Sequence, residues 1–419
     1  MVLERERLRI STNDWKVSDP LALLDSLHGQ PRWAWMDKEQ TLVAWGKVAT
    51  FPINELEAQL EQLKDHLPEA DIPLFGSLPF DQTSTPDDIW SDFATLGFIL
   101  PRFIYRHSGS QGQLTEVHSD QELPEIFRPP HLNWHPDAIP SAQVTPKLSF
   151  SEWEAMIWEA QRQIENGHIQ KVVFARALDV TFARTPPLVT VFSRLANRYP
   201  NTYRFYFEPV PGHVFLGATP ELLVRTRGCA LETVAMAGSI RRGQTPHEED
   251  ELGAALLANQ KDRLEQAIVV ERICNELSPL CDSFQYPKEP VLRRLPNIQH
   301  LETPIRGRLK RPGLLGPAQA LHPTPALAGH PRQAALEMIR QSEPLPRGAY
   351  GAPVGWITPQ GDGELTVAIR SAIFRGSAGR LYAGAGILAE SQPEKEWQET
   401  ELKFRPMMEA LGLIEEETA

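Results

Sequence analysis

The sequence predicts an α+β fold with antiparallel sheets. Strand-like runs come in clusters with helices set among them, not in strict strand–helix–strand alternation. Several of those runs are joined by short turns containing Gly or Pro, which suit hairpins. The chain has 419 residues, 41% hydrophobic and 23% charged, so it can bury a large core.

Residues 1–148 read as a strand- and loop-rich part of that same fold. Short apolar runs at Thr41–Trp45 and Leu96–Tyr105 alternate with Pro-rich connections over 67–80 and 128–147. The texture changes near Lys147. A helix runs from Ser149 or Ser151 to Asn166, with Ser at its cap and Gly167 as its stop. Lys171–Phe182 is rich in β-branched and apolar residues and predicts a strand. Tyr203–Glu208 and His213–Leu216 predict a hairpin around Pro209–Gly212. Glu221–Thr226 and Ala230–Val234 predict a second strand pair. One helix is expected over Glu249–Leu277, with Pro279 just beyond it, and another over Pro331–Ser342. Gly355–Thr358, Glu364–Phe374 and Arg380–Leu388 predict antiparallel strands. A last helix covers Glu394–Leu411.

Bulk properties exclude several classes. Lys and Arg number 42 against 54 Asp and Glu, a net charge of −12. That argues against a nucleic-acid scaffold or an anionic membrane partner. If the substrate is an anion, its pocket must be made locally positive by Arg, Lys, helix N-termini or a metal. No run approaches about 18 apolar residues, so no membrane helix is expected. The start, MVLERERLRIST, is charged from its fourth residue and lacks the apolar segment of a secretory signal. Cys229, Cys274 and Cys281 form no CxxC pair, which fits a reducing compartment and neither a disulfide framework nor a zinc site. A cytoplasmic location is expected.

Five local patterns carry chemistry. Glu396, Glu399 and Lys403 share one face of the last helix. Glu265 sits among Leu264, Ile268, Val269 and Ile273 on another helix. Carboxylates from two helices with no Cys or His beside them suit a hard cation such as Mg2+. In the strand 364–374, alternation places Arg370 between Ala368 and Ala372, with space above a guanidinium that can clamp a carboxylate. Glycines in Ala383–Ile387 suggest close backbone approach by a ligand. Lys171 opens the strand Lys171–Arg176, where a lysine aimed inward can serve as a base. Glu221 follows a Gly/Pro turn, where a partly buried carboxyl can serve as an acid. Each pattern alone more often marks a solvated face, an ion pair or a turn.

In their order along the chain, these segments resemble the chorismate-utilizing enzymes, which include anthranilate, aminodeoxychorismate, salicylate and isochorismate synthases. The carrying stretches are KVVFAR (171–176), FLGATPELLV (215–224), TVAMAGSIRRG (233–243), KDRLEQ (261–266), QHLETPIRG (299–307), LHPTPALAGHP (321–331), RGAYGAPVGW (347–356), VAIRSAIF (367–374), AGAGIL (383–388) and EKEWQETELK (394–403). They span about residues 150 to 411.

The resemblance implies one large unit of two packed antiparallel β-sheets surrounded by helices, with 149–419 as the chorismate-binding catalytic region. It implies Mg2+ held by Glu265 and Glu399, with Glu396 close by. Arg370 and the backbone N–H groups of Gly384 to Gly386 would hold a substrate carboxylate. His300, Ala326, Tyr350, Gly238 and Lys403 are expected at the substrate, and His322 near the pocket. Lys171 would be the general base that activates water at C2 of the ring, and Glu221 the general acid at the departing C4 hydroxyl. Lys171 is similar to the water-using branch. Ala237 stands where the aminodeoxychorismate branch has a nucleophilic lysine. Ala326 in HPTPA is similar to the isochorismate-forming branch, where salicylate-forming relatives tend to have threonine. One departure is Gln266, where many relatives have histidine. The N-terminal part is more similar to the menaquinone- or phylloquinone-pathway enzymes than to the siderophore ones. The expected partner is chorismate alone, and a monomer is the default expectation. The alternatives are a salicylate synthase, a siderophore-pathway enzyme and a catalytically silent chorismate-binding subunit.

Overall fold

The structure, a computed structural model, describes residues 8–415 except 16, 68–70, 94–96, 110, 120–133 and 296–297. Leu96 of the expected strand 96–105, and part of the connection 128–147, lie outside the described residues.

Two large sheets form the molecule, and pairing within them is antiparallel throughout the described residues. A twelve-stranded sheet runs from the edge strand Leu8–Asp14 through Gln111–Ser119, Phe103–Ser108, Thr41–Trp45, Arg32–Met36, Tyr203–Val210, His213–Thr219, Ser371–Arg375, Ala378–Ile387 and Lys171–Phe182 to Gly329–His330; Ala142–Pro146 pairs with Lys171–Phe182. A ten-stranded sheet orders Cys281–Gln285, Ile298–Leu309, Ala230–Arg241, Leu222–Arg227, Gly363–Val367, Pro353–Ile357, Leu74–Ser77, Phe98–Leu100 and Ala49–Phe51; Val291–Arg294 pairs with Ile298–Leu309. Strands from both halves of the chain lie side by side in each sheet. Arg32–Met36 pairs with Tyr203–Val210, and Leu74–Ser77 with Pro353–Ile357.

Large aromatic side chains fill the space between the sheets. Trp33 stacks on Phe75 across it, with ring centroids 6.5 Å apart. Trp35 donates its indole N–H to Glu364 at 3.1 Å. Leu23, Phe192, Phe404 and Met407 cover the other face of the twelve-stranded sheet from the helices Pro20–Ser26, Leu188–Arg198 and Pro393–Ala410. Among the described residues no helix is long and apolar enough to cross a membrane.

Several elements follow the sequence closely. The helix Phe150–Glu165 opens on a capping box in which Ser149 and Glu152 satisfy each other's backbone N–H. The strand Lys171–Phe182 has the expected bounds. Three readings are corrected. The helix expected over 249–277 is two, Pro246–Ala258 and Gln260–Leu277. Asn259 between them is extended (ψ 113°), and its side chain accepts from Asp262 N–H at 3.1 Å, capping the second helix. The run 96–105 is split at Pro101 between Phe98–Leu100 and Phe103–Ser108, which belong to different sheets. The strand 364–374 is likewise two strands in two sheets, so a single alternation across Arg370 does not hold. The helix Leu188–Arg198 went unread, because its Val-Thr-Val-Phe run has the composition of a strand; burial of its apolar face overrides that preference.

Candidate active site

Two chain segments cross from one sheet to the other side by side. His213–Thr219 lies in the twelve-stranded sheet, and after Pro220 and Glu221 the chain enters the ten-stranded sheet as Leu222–Arg227. Gly363–Val367 and Ser371–Arg375 make the reverse crossing through residues 368–370. The crossings are bonded to each other. Val367 N–H donates to Glu221 O at 3.0 Å, Ala218 N–H to Arg370 O at 3.1 Å, and the Thr219 hydroxyl to Val367 O at 2.6 Å. Glu221 and Arg370 are thereby fixed where the sheets meet.

Arg370 has φ +52°, the one non-glycine among the described residues in the left-handed region. That conformation costs about 1–2 kcal/mol, and the crossing bonds hold it. Its side chain is buried, at 9% exposure. Burial lowers its pKa, against the pull of Tyr350, Glu399, Tyr199 and Glu221. Burial pushes the Glu221 carboxyl up to about 7, with Arg370 and Lys403 opposing. A neutral carboxylic acid is therefore well populated at neutral pH.

The opposite wall comes from Lys171–Phe182 and Ala378–Ile387. Lys171 Nζ lies 3.1 Å from Glu265 Oε1. Its charge also reaches Glu399, so carboxylates from two helices converge on this lysine. Lys403 Nζ donates to Glu399 Oε1 at 2.5 Å and to Gly384 O at 2.7 Å. Burial would raise Glu399, yet Lys403, Arg370 and Lys171 together hold it below the usual carboxylate range. Glu396 lies one turn earlier on the same helix and is half-buried. A cavity of about 450 Å³ opens beside Lys171 and Glu265, lined also by Leu264, Ile268, Arg272 and His330.

The glycines of Ala378–Ile387 have a cause within the protein. A Cβ on Gly386 would lie 2.9 Å from Lys171 Cε, so its bareness makes room for the lysine stem. Val173 N–H goes to Ala328 O and Ala175 N–H to Glu343 Oε1, away from the neighbouring strand. Their register partners Gly386 and Gly384 therefore turn their backbone groups to the opposite side, by the alternation of antiparallel pairs. Gly384 is engaged there by Lys403 and by a backbone hydrogen bond with Tyr350. The Gly386→Ala variant is expected to fold normally but to lose about tenfold in kcat, by displacing Lys171 from its place; matched melting curves and initial rates check this.

The remaining expected residues separate. His300 is in the site. Burial, Arg370 and Lys403 drive its imidazole down to about 3, so it is neutral, and its Nδ1 lies 2.7 Å from Ser239 Oγ. Gly238 forms a bulge opposite it with φ +71°, where a Cβ would come 3.1 Å from Asp262 Oδ1. Tyr350 stacks on Tyr382 at 5.0 Å, and burial pushes its hydroxyl up to about 12. Ala326 lines a small cavity with Glu221. His322 is tied elsewhere, its Nε2 lying 3.0 Å from Pro79 O. Tyr382 was missed, although it stands two residues before the glycine run already singled out. Gln266 has a structural job. Buried at 2% exposure, it donates to Ala235 O and to Thr303 Oγ1, both at 2.9 Å, and pins the Glu265 helix to the sheet. The Gln266→Leu variant is expected to lose about 1–3 kcal/mol of stability, read by denaturant unfolding.

Among the described residues no group of three or more His, Cys, Asp or Glu side chains is arranged to hold a metal. The pair Glu265 and Glu399 still fits Mg2+ chemically. That ion is bound through one or two protein carboxylates, with water and substrate oxygens completing its shell. Each of the two carboxylates already carries a lysine cation here.

Comparison with known proteins gives the family. The family described as "Chorismate binding enzyme" matches residues 3–412. Isochorismate synthase MenF of Bacillus subtilis (strain 168) is 33% identical over 416 residues, covering 91% of this chain and 88% of that protein. The salicylate biosynthesis isochorismate synthase of Pseudomonas aeruginosa is 36% identical, covering 81% and 74%. The solved structure of MenF, the menaquinone-specific isochorismate synthase from Escherichia coli, superimposes with a TM-score of 0.84 at 27% identity, covering 98% of this chain and 97% of that one. Anthranilate synthase component I from Streptococcus pneumoniae, at 18% identity and a TM-score of 0.72, shares the fold. With the match running nearly end to end, the chain belongs to the chorismate-binding enzymes.

Proposed function

We propose that this protein is an isochorismate synthase, an isomerase that adds water at C2 of chorismate and expels the C4 hydroxyl. The observation that carries this is a lysine and a protonatable glutamate set around one site in which Lys171, Arg370 and Lys403 meet the carboxylates of Glu265 and Glu399. The isochorismate synthases among its relatives support the reading.

Arg370 and the Gly386 amide hold one substrate carboxylate, the guanidinium by its planar fork. Glu265 and Glu399, with Glu396 close by, would hold Mg2+, which would supply positive charge for the other. Lys171, once released from Glu265, takes a proton from the attacking water. Glu221 gives its proton to the departing C4 oxygen. Tyr350, His300 and Gly238 shape the wall, and Lys403 keeps Glu399 in place. Residues 149–419 are the catalytic region, and 1–148 complete both sheets. We place the enzyme in the cytoplasm, acting as a monomer on a small-molecule substrate.

Incubation with chorismate and Mg2+ is expected to give isochorismate without pyruvate. Salicylate with pyruvate would instead mean a salicylate synthase, and no turnover a silent binding subunit. EDTA is expected to abolish the activity, and full activity in metal-free buffer would remove the Glu265 and Glu399 assignment. Because the acid works in its protonated form, kcat/KM is expected to fall as pH rises through about 7, the value to which burial pushes Glu221. A menaquinone-type role is proposed on the likeness to the MenF enzymes. Restoration of menaquinone in a strain lacking its own enzyme tests it.

A further inference from the structure

Trp90 belongs to the N-terminal part, is 1% exposed, and reaches Tyr350 by two routes. The first is through the backbone. The indole lies against Gly348, two residues before Tyr350, where φ is +56° and a Cβ would overlap the ring. The second is through Tyr382. The Trp90 indole N–H donates to the Tyr382 hydroxyl at 2.9 Å, and that hydroxyl donates to Pro346 O at 2.9 Å, four residues before Tyr350. The Tyr382 ring stacks on Tyr350, with centroids 5.0 Å apart and planes 15° from parallel. Tyr350 carries its hydroxyl to Gly384 and feels the charge of Arg370. The segment 87–93 that bears Trp90 is itself fastened to the twelve-stranded sheet. His213 Nδ1 lies 2.8 Å from Asp92 Oδ2, and its Nε2 lies 2.7 Å from Ile89 O. Arg375 donates to Asp88 O at 2.7 Å. Arg380 pairs with Asp87 and also bonds the Tyr382 hydroxyl. Phe215 meets the indole edge-on at 5.1 Å.

We propose that Trp90 is a positioning residue for the substrate carboxylate. It fixes the Tyr382 hydroxyl and the Gly348 backbone at once, and so sets the Tyr350 hydroxyl beside the place where Arg370 grips chorismate. The inference rests on chorismate occupying the site beside Arg370. Trp90 touches no substrate and acts only through Tyr382 and the turn 346–350. The N-terminal part thereby does more than complete the two sheets, since it supplies the back support of a substrate contact. Without the indole N–H the tip of Tyr382 loosens, and the ring stacked on it carries the slack to the Tyr350 hydroxyl. A contact to an unreacting carboxylate is made in ground state and transition state alike, so its loss raises KM and leaves kcat.

Trp90→Phe and Tyr382→Phe test this in the full chain, by KM for chorismate and kcat at saturating Mg2+. Each is expected to raise KM about 3- to 10-fold, the scale of one net hydrogen bond, with kcat held within about twofold. A merely structural Trp90 predicts the opposite split: a lower melting temperature and less active protein, hence a lower apparent kcat, with KM unchanged. That split overturns the proposal. Tyr350→Phe lacks the hydroxyl being positioned, so adding Trp90→Phe to it should raise KM no further, and additive losses overturn the proposal. Should Trp90→Phe fail to fold, Tyr382→Phe decides, because it keeps the ring and its stack and removes only the hydroxyl; an unchanged KM there overturns the proposal. Absence of isochorismate from the wild-type reaction would fail the functional reading alone, and the same comparisons are then read as the chorismate Kd by titration calorimetry.

Discussion

Lys171→Ala and Glu221→Gln are each expected to lower kcat by about 10²- to 10⁴-fold, the usual contribution of a positioned acid or base, while leaving the melting temperature nearly unchanged. The fold should survive because neither side chain belongs to the packed core. Lys171 is partly exposed and its nearest polar partner is Glu265 at 3.1 Å. Glu221 is held through its backbone by Val367. The two losses should differ in their pH signature. Removing Glu221 should erase the decline of kcat/KM above about 7 in whatever activity remains, since that decline tracks its deprotonation. Removing Lys171 should leave the decline in place. A near wild-type rate in either variant would refute the roles assigned to them.

Arg370→Ala is expected to cost about 2–4 kcal/mol of transition-state binding, roughly 30- to 1,000-fold in kcat/KM, the scale for removing one partner of a buried charged contact. Arg370→Lys should recover only part of this, because an ammonium cannot bind a carboxylate through two parallel bonds. A second consequence follows from charge. Arg370 is the largest influence opposing the upward push of burial on Glu221. Its loss should carry the Glu221 pKa above about 7, so the alkaline decline moves to higher pH. An unchanged profile would mean that the guanidinium and the carboxyl do not share one site.

The parts of this arrangement that the sequence disclosed are those with local causes. Ser149 and Glu152 announce the helix Phe150–Glu165 by their spacing, and the apolar β-branched run announces Lys171–Phe182. The side chains proposed to act chemically were singled out because the order of their segments along the chain resembles one enzyme family. What stayed hidden is what depends on long-range pairing. Nothing local in 364–374 reveals that its two ends belong to different sheets, and alternation runs on through the break at Arg370. Glycine at 386 was read as room for a ligand, but its neighbour is the stem of Lys171, 215 residues earlier. Gln266 stood out only as a departure from the histidine of many relatives, and nothing local reveals that its amide faces the sheet.

The paired crossings at Glu221 and Arg370 have a bearing on how such an enzyme can diversify. Most enzymes keep their reactive groups on loops that tolerate insertion and drift. Here Glu221 and Arg370 are stitched into the seam that joins the two halves of the core, and each crossing is the other's template. Lengthening either by one residue would shift a strand's inward face outward along its whole length. New specificity is therefore confined to positions off the two crossings, such as Ala326 and Tyr350, and directed-evolution libraries for altered substrates belong there.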